Sequence, residues 1–485
     1  MVGLYQILRF VFFLYFCILD WNKATAYKNC ILMTMSNKNE RAVCSTVRLV
    51  GQLNARAGLK STDLEKQPKV WKRHTLSKGE FDSLNKTYYT AHILSMTEAE
   101  GKKDRAADLA EVRRFIYSPE EGNIKLPLRK FDYKQNKIVT LHEEYGCKVR
   151  DISVWFFPYT PVLFSIEIDD SGNALNDITL MHSQWKNWAK QYDDFFGTEE
   201  LKKILEPLLK LTCNEQSPAK LTFQDTKLRQ YQVVQVYEPT LRDDLLYELA
   251  THSRIGVVAD GDLHAPFKPS EEYFSRIIRD NSVSAFSNWK ALALNDTFTV
   301  LAIDGIFSDS ELDSNCDGYR YFEMLYMRCL VQEYYCFSRN NDYRENPKKL
   351  DAKDIRQEIE SMEKYYFYDD LSYEFLPPLM YGAMAKGLGL DGDRRELTER
   401  VKQGLIELQR REEEQRRLNN DITIGAVKLF SVVTVVWTVY QMLCLIFGDC
   451  FKGWVSALVA LVLSLALTYL FVRPLIRTLI QNRRK

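Results

Sequence analysis

Residues 424–447 carry a single charge, Lys428, and residues 454–472 carry none. Each stretch has the ~17–25 apolar residues that cross the hydrocarbon core of a bilayer. Only residues 448–453 separate them, so the pair reads as a tight helical hairpin near the C-terminus. The same hairpin inside a soluble core would normally show a broad polar face.

The basic residues orient the hairpin. Arg410, Arg411, Arg416 and Arg417 precede the first stretch, and Arg473, Arg477, Arg483, Arg484 and Lys485 follow the second. The intervening loop holds only Lys452. The positive-inside rule then predicts a multi-pass protein of the inner (plasma) membrane, with both ends cytoplasmic and the short loop outside. The N-terminus offers a competing reading. Residues 10–19 are apolar, and Ala24-Thr25-Ala26 resembles a signal-peptidase site. A cleaved signal would export residues 27–423 and put the Arg410–Arg417 cluster outside, against the rule. Arg9 is also the only basic residue ahead of the apolar run. A Phe- and Tyr-rich buried strand is the preferred reading of residues 10–19, with a signal or a third membrane element as alternatives.

The rest of the 485 residues is long enough for a sizeable core. Sixty-five basic residues balance 65 acidic ones, so no basic stripe argues for direct nucleic-acid binding. Twenty-seven Tyr and 26 Phe argue against a disordered chain. The ten Cys are scattered, with no CxxC and no Cys/His set at zinc spacing, which predicts a reduced, cytoplasmic domain.

Residues 1–318 read as a cytoplasmic α/β domain, the one expected to sense a ligand. Strand composition marks 42–50, 152–157, 162–168, 229–237, 282–292 and 297–307, the last two joined as a hairpin at Asn295-Asp296. Helical patterns mark 97–115, 180–211 and 241–250, with Gly197 and Pro207 expected to divide the second. Residues 319–423 read as helices and a stalk. Helices are expected at 319–338 and 351–368, a break at Pro377-Pro378, a short Gly-punctuated segment at 380–389, and then one long helix capped by Asp393. That helix carries Leu397, Val401, Leu405 and Leu408 as one apolar stripe. It is expected to run unbroken into the hairpin 424–472, giving roughly 80 Å at ~1.5 Å per residue. A basic cytoplasmic tail, 473–485, follows.

Polar residues within 424–447 are not scattered. Ser431, Thr434, Thr438 and Gln441 recur at spacings of three, four and three, and Thr423 extends the row below an interruption at Val427. A polar face against lipid is costly, so it should point at protein or water. Two helices cannot enclose water, but several copies around an axis can. One reading is thus a homo-oligomeric pore lined by these residues; the other is hydrogen-bonded glue between helices. Asn419, Asn420 and Asp421 would sit at the cytoplasmic mouth, as amide and carboxylate rings that favour cations or as a plain interfacial segment.

The order of long stalk helix, first span, short external loop, second span and basic tail resembles the CorA-type magnesium channel family. The resemblance covers the last third in detail and the rest in class only. It implies an α/β cytoplasmic domain on a long helical stalk with two C-terminal transmembrane helices, assembled as a CorA-like homo-oligomer, a pentamer in that family, embedded in membrane lipid. The family ends its first span with Gly-Met-Asn as a selectivity ring. Here Gly448 can match the Gly, while Asp449 and Cys450 stand in for Met and Asn. An Asp449 ring would still attract cations. The departure is similar to CorA-like membrane effectors of type III CRISPR antiviral systems, in which an adenine-nucleotide messenger such as adenylated S-adenosylmethionine binds the cytoplasmic domain. The expected ligand is therefore either Mg2+ or an adenine-nucleotide messenger.

Other motifs are weaker. Asp313, Asn315 and Asp317 match the first half of a calcium loop, but Met324 stands where the bidentate Glu belongs. Asp260-Gly261-Asp262-Leu263-His264 holds three possible ligands in a turn. Residues 387–392 spell GxGxxG without a preceding strand, and read better as a flexible link. Tyr365, Tyr366, Phe367, Tyr368, Tyr373 and Phe375 could stack a nucleobase or pack a core, as could Trp289 beside Lys290. No catalytic constellation stands out, so an enzyme is not expected.

Overall fold

The computed structural model describes residues 41–82 (54, 57, 76, 80 and 81 apart), 112–186 (133–136 apart), 199–212, 228–259 (239 apart), 268–306, 319–345, 352–365, 371–447 (373 apart) and scattered helical positions from 453 to 469. The chain divides into two compact units, one ending at Leu397 and one beginning at Thr398.

The first unit is built on one mixed, ten-stranded sheet. Its strands are β1 (Cys44–Gln52), β2 (Lys72–His74), β3 (Arg113–Tyr117), β4 (Asn123–Asp132), β5 (Lys137–Phe156), β6 (Leu163–Asp169), β7 (Arg229–Val236), β8 (Ser282–Val283), β9 (Trp289–Ala293) and β10 (Thr297–Ile303). Their order is β2-β3-β5-β6-β1-β7-β10-β9-β8, with β4 paired to the first half of β5. The β7–β10 pair is parallel, and the other pairs are antiparallel. A parallel pair needs a long crossover, which the chain between β7 and β10 supplies. The described helices are α1 (Ser61–Glu65), α2 (Leu175–Lys186), α3 (Glu199–Leu209), α4 (Asp243–Thr251), α5 (Glu271–Asn281), α6 (Tyr319–Glu345), α7 (Ala352–Tyr365), α8 (Leu376–Leu388) and α9 (Leu390–Phe447).

Alternation along each strand gives the sheet two unlike faces. One presents Phe115, Val154, Ile166, Val47, Leu49, Val234, Leu301 and Leu292, in register from β3 to β9. Its core takes in Met181 and Trp185 of α2, Leu205 and Leu208 of α3, and Leu245 and Leu249 of α4. Each such side chain contributes ~1.5–3 kcal/mol by leaving water. The opposite face presents Arg114, Asp151, Glu167 and Arg48, then Tyr231, Phe298 and Ala293. Helices α6 and α8 pack on that face. Tyr326 of α6 lies against Tyr231 and Phe298, and Gly387 of α8 lies against Ala293.

The expected strands are present, and the hairpin at Asn295-Asp296 joins β9 to β10. Several expectations need correction. The helix expected over 97–115 gives way to strand β3 at Arg113–Tyr117, because Phe115 fills the core beside Val154; the earlier part of that stretch lies outside the described residues. Pro207 does not divide α3 but sits inside it. Pro377 and Pro378 open α8, where their missing N–H groups cost nothing. The stretch 282–292 is two strands separated by a bend. Asp393 does not cap α9, which already begins at Leu390; Asp393 lies in the first turn.

Residues 387–392 are not a flexible link. Gly387 is the last turn of α8, and a Cβ there would come within 2.8 Å of the Ala293 carbonyl carbon. Gly389 (φ +73°) closes α8 in the left-handed conformation, and α9 starts at the next residue.

Candidate functional site

Helix α9 is continuous over 58 residues, about 87 Å at ~1.5 Å per residue. Among the described residues it is the one helix long and apolar enough to cross a membrane. Apolar side chains around its second half are exposed, Phe430 at 74% and Leu445 at 83%. At about 100° per residue, Thr423, Ser431, Thr434, Thr438 and Gln441 fall within an arc of about 80°. Asn420 falls on the same arc, Asn419 lies about 40° outside one edge of it, and Lys428 and Asp421 lie about 60° and 80° beyond the other edge. The hydroxyls of Thr423, Ser431, Thr434 and Thr438 each donate to the carbonyl four residues earlier, at 2.8 Å. Their protons are satisfied within the helix, and their lone pairs face outward. All five stripe residues, and Asn419, Asn420 and Asp421, are exposed on the chain.

The first unit buries a different kind of polar site. Arg48 is 1% exposed in a strand of otherwise uncharged residues. Its guanidinium donates to Asp151 (3.1 Å) and Ser165 (3.3 Å), and pairs with Glu167 and with Glu323 of α6 (2.9 Å). Arg114 reaches the same Glu323 carboxylate at 3.8 Å, donates to Ser153 at 3.2 Å, and lies 4.4 Å over the Trp155 ring. Burial pushes the Glu167 carboxyl up to about 7, against the pull of Arg48 and with help from Asp151 and Glu323. Asp151 is also buried, but Arg48 and Arg114 hold it below the usual carboxylate range.

Helix α6 is tied to this face a second time. Arg229 of β7 pairs with Glu333 through two guanidinium nitrogens. Beyond that point α6 reaches the root of α9: Asn340 donates to the Asp393 carbonyl at 3.4 Å, and Arg344 pairs with Glu396 at 3.2 Å. Arg339 pairs with Glu358 of α7 at 2.9 Å. One helix thus spans from the Arg48 cluster to the first turns of the stalk.

A third polar group lies on the apolar face. His182 of α2 bonds Asp170 through Nε2 (2.9 Å) and Gln232 through Nδ1 (2.6 Å). Tyr145 donates to the same Asp170 carboxylate, and burial raises its phenol well above the ordinary value. Gln232 in turn donates to Thr299 and to the Leu249 carbonyl. His252 packs edge-on to His182, its ring centroid 6.0 Å away; burial holds its imidazole well below the usual range, so it is neutral. This network joins α2, α4 and the strands β5, β7 and β10.

The sequence-derived sites fare unevenly. Gly448, Asp449 and Cys450 lie outside the described residues, as do Asp313, Asn315, Asp317, the 260–264 turn and the aromatics 366–368 and 373. Phe375 is exposed and packs on Phe286, while Trp289 is buried against Phe322. Lys290 donates to Asp243 at 2.7 Å, a structural contact. Among the described residues no three His, Cys, Asp or Glu side chains converge as metal ligands. Cys44, Cys147, Cys329 and Cys336 are buried and form no disulfide. The Arg48 cluster escaped sequence reasoning. Its signal was present as lone charges in strand runs: Arg48 in VRLVG, Asp151 in RDISVW and Glu167 in FSIEID.

Comparison of the chain with family models, with curated proteins and with solved structures gives no match.

Proposed function

We propose that the chain is a CorA-like membrane channel or effector whose cytoplasmic α/β domain gates it on binding an adenine-nucleotide second messenger such as adenylated S-adenosylmethionine, in the manner of type III CRISPR antiviral defence. The carrying observation is the polar arc on α9. A helix with apolar side chains exposed around it needs lipid or other copies of itself, and a polar arc on that helix needs an axis. Homo-oligomeric packing, as a pentamer in the resembling family, would turn Thr423, Ser431, Thr434, Thr438 and Gln441 inward and leave Val432, Val433 and Val436 to lipid. Asn419 and Asn420 would form the cytoplasmic mouth. The second span, residues 454–472, would complete the hairpin and place both termini in the cytoplasm.

Gating would be ordinary linkage: the ligand binds one domain arrangement more tightly and biases the pore through α6 and the root of α9. Asp449 in place of the family's Met favours the effector reading over Mg2+ transport, because the selectivity sequence is altered. The test is ion flux through purified protein in liposomes, first with Mg2+ alone and then with adenine-nucleotide messengers. Messenger-dependent flux supports the effector. Mg2+ flux without a messenger returns the chain to divalent-cation transport, and no flux in either arm leaves a membrane-anchored binding protein.

A further inference from the structure

Asp151 and Glu167 are cross-strand partners, paired directly beside a register shift between Val149 and Asp151. Like charges placed opposite each other on a sheet repel, and a bulge is a device that re-aims side chains. Here both carboxylates turn to the same guanidinium, Arg48, and a third carboxylate, Glu323, reaches it from α6. The groups facing Glu167 are therefore Arg48 on β1, Asp151 on β5, Glu323 on α6, Arg114 on β3 through Glu323, and the Tyr231 phenol on β7. With every acid ionised, three carboxylates oppose two guanidinium groups in a buried site. One proton balances it.

We propose that the Arg48 cluster is a proton-operated latch: uptake of one proton by the Asp151–Glu167 pair tightens the docking of α6 on the sheet, and its loss loosens α6. The latch matters because α6 is also the element that holds the root of α9, through Asn340 and Arg344. The inference concerns the α/β unit and stands whether or not the chain conducts.

Its direction follows from the titration. Glu167 sits near 7 in the docked unit, above its ordinary 4.5, through burial first and its acidic neighbours next. A raised acid stabilises the docked form fully below about 4.5, and that contribution fades as pH rises through about 7. Asp151 moves the other way, so its contribution is lost only in strong acid. Between pH 5 and 7 the cluster's slope therefore follows the Glu167 proton rather than Asp151.

The test is hydrogen–deuterium exchange of the full-length protein in nanodiscs, read over residues 319–345 from pH 5 to 8 and corrected for intrinsic exchange. The opening of α6 is expected to become easier by up to about tenfold per pH unit as pH rises toward 7. Glu167→Gln, which carries no titrating proton, is expected to abolish the slope. A flat wild-type profile, or an unchanged slope in the variant, overturns the latch. Should the variant not fold, infrared spectroscopy of the wild type decides. A protonated-carboxyl band that titrates near pH 7 supports the latch, and its absence overturns it.

Discussion

Arg48 and Thr434 are both polar side chains on apolar elements, and they have opposite fates. Arg48 is enclosed by β1, β5, β6 and α6, and its donors meet three carboxylates and a serine. Thr434 is exposed and bonds only the carbonyl of its own previous turn. Arg48 meets its charged partners inside the α/β unit, whereas the polar arc on the second half of α9 faces whatever surrounds it. The first arrangement is a folding device. The second is a surface looking for a partner, and that contrast is why the functional proposal rests on α9 rather than on the larger unit.

The contrast is broken most strongly at Arg48. Arg48→Met leaves three buried carboxylates around an apolar side chain, and removing one partner of a buried charge cluster costs ~3–5 kcal/mol. Denaturant unfolding followed by Trp fluorescence should show a loss of that size. Next comes Gly387→Ala, which drives a methyl into the Ala293 backbone and should cost ~1–3 kcal/mol. Gly382→Ala, on the same helix with nothing within 4 Å of its added methyl, should instead be neutral or stabilising by up to ~1 kcal/mol. Thr434→Val with Thr438→Val should leave unfolding of the α/β unit unchanged while lowering flux in liposomes. The smallest effect is expected for Glu414→Ala, which removes an exposed pair with Arg410 and should shift stability by no more than a few tenths of a kcal/mol.

Much of this organisation was legible in the sequence, for reasons that differ by region. The long helix was readable because no breaker interrupts 390–447 and its apolar run is uniform. The central strands were readable because β1, β6, β7 and β10 are buried on both faces and carry strand-forming residues, Val in β1 and β7 and Ile and Phe in β6 and β10. The pairing of β4 with β5 was missed. β4 and the first half of β5 alternate buried and exposed residues, and Pro127 and Gly146 obscure an alternation carried by Ile124, Leu126, Tyr145, Cys147 and Val149. The Arg48 cluster was missed because its members come from Arg48, Arg114, Asp151, Glu167 and Glu323, which only sheet register and α6 bring together. Sequence spacing records contacts within a helix, and it is silent on contacts between strands so far apart in the chain.

The most direct test of the pore proposal is cysteine accessibility along α9 in membrane vesicles, in a Cys444→Ala background. Cysteines are introduced singly from 430 to 442 and treated with a charged, water-soluble thiol reagent. A water-filled path predicts modification of Ser431→Cys, Thr434→Cys, Thr438→Cys and Gln441→Cys, with Val432→Cys, Val433→Cys and Val436→Cys on the far side of the helix protected by lipid. Protection of all four stripe positions would contradict the pore and make the stripe a dry contact between helices.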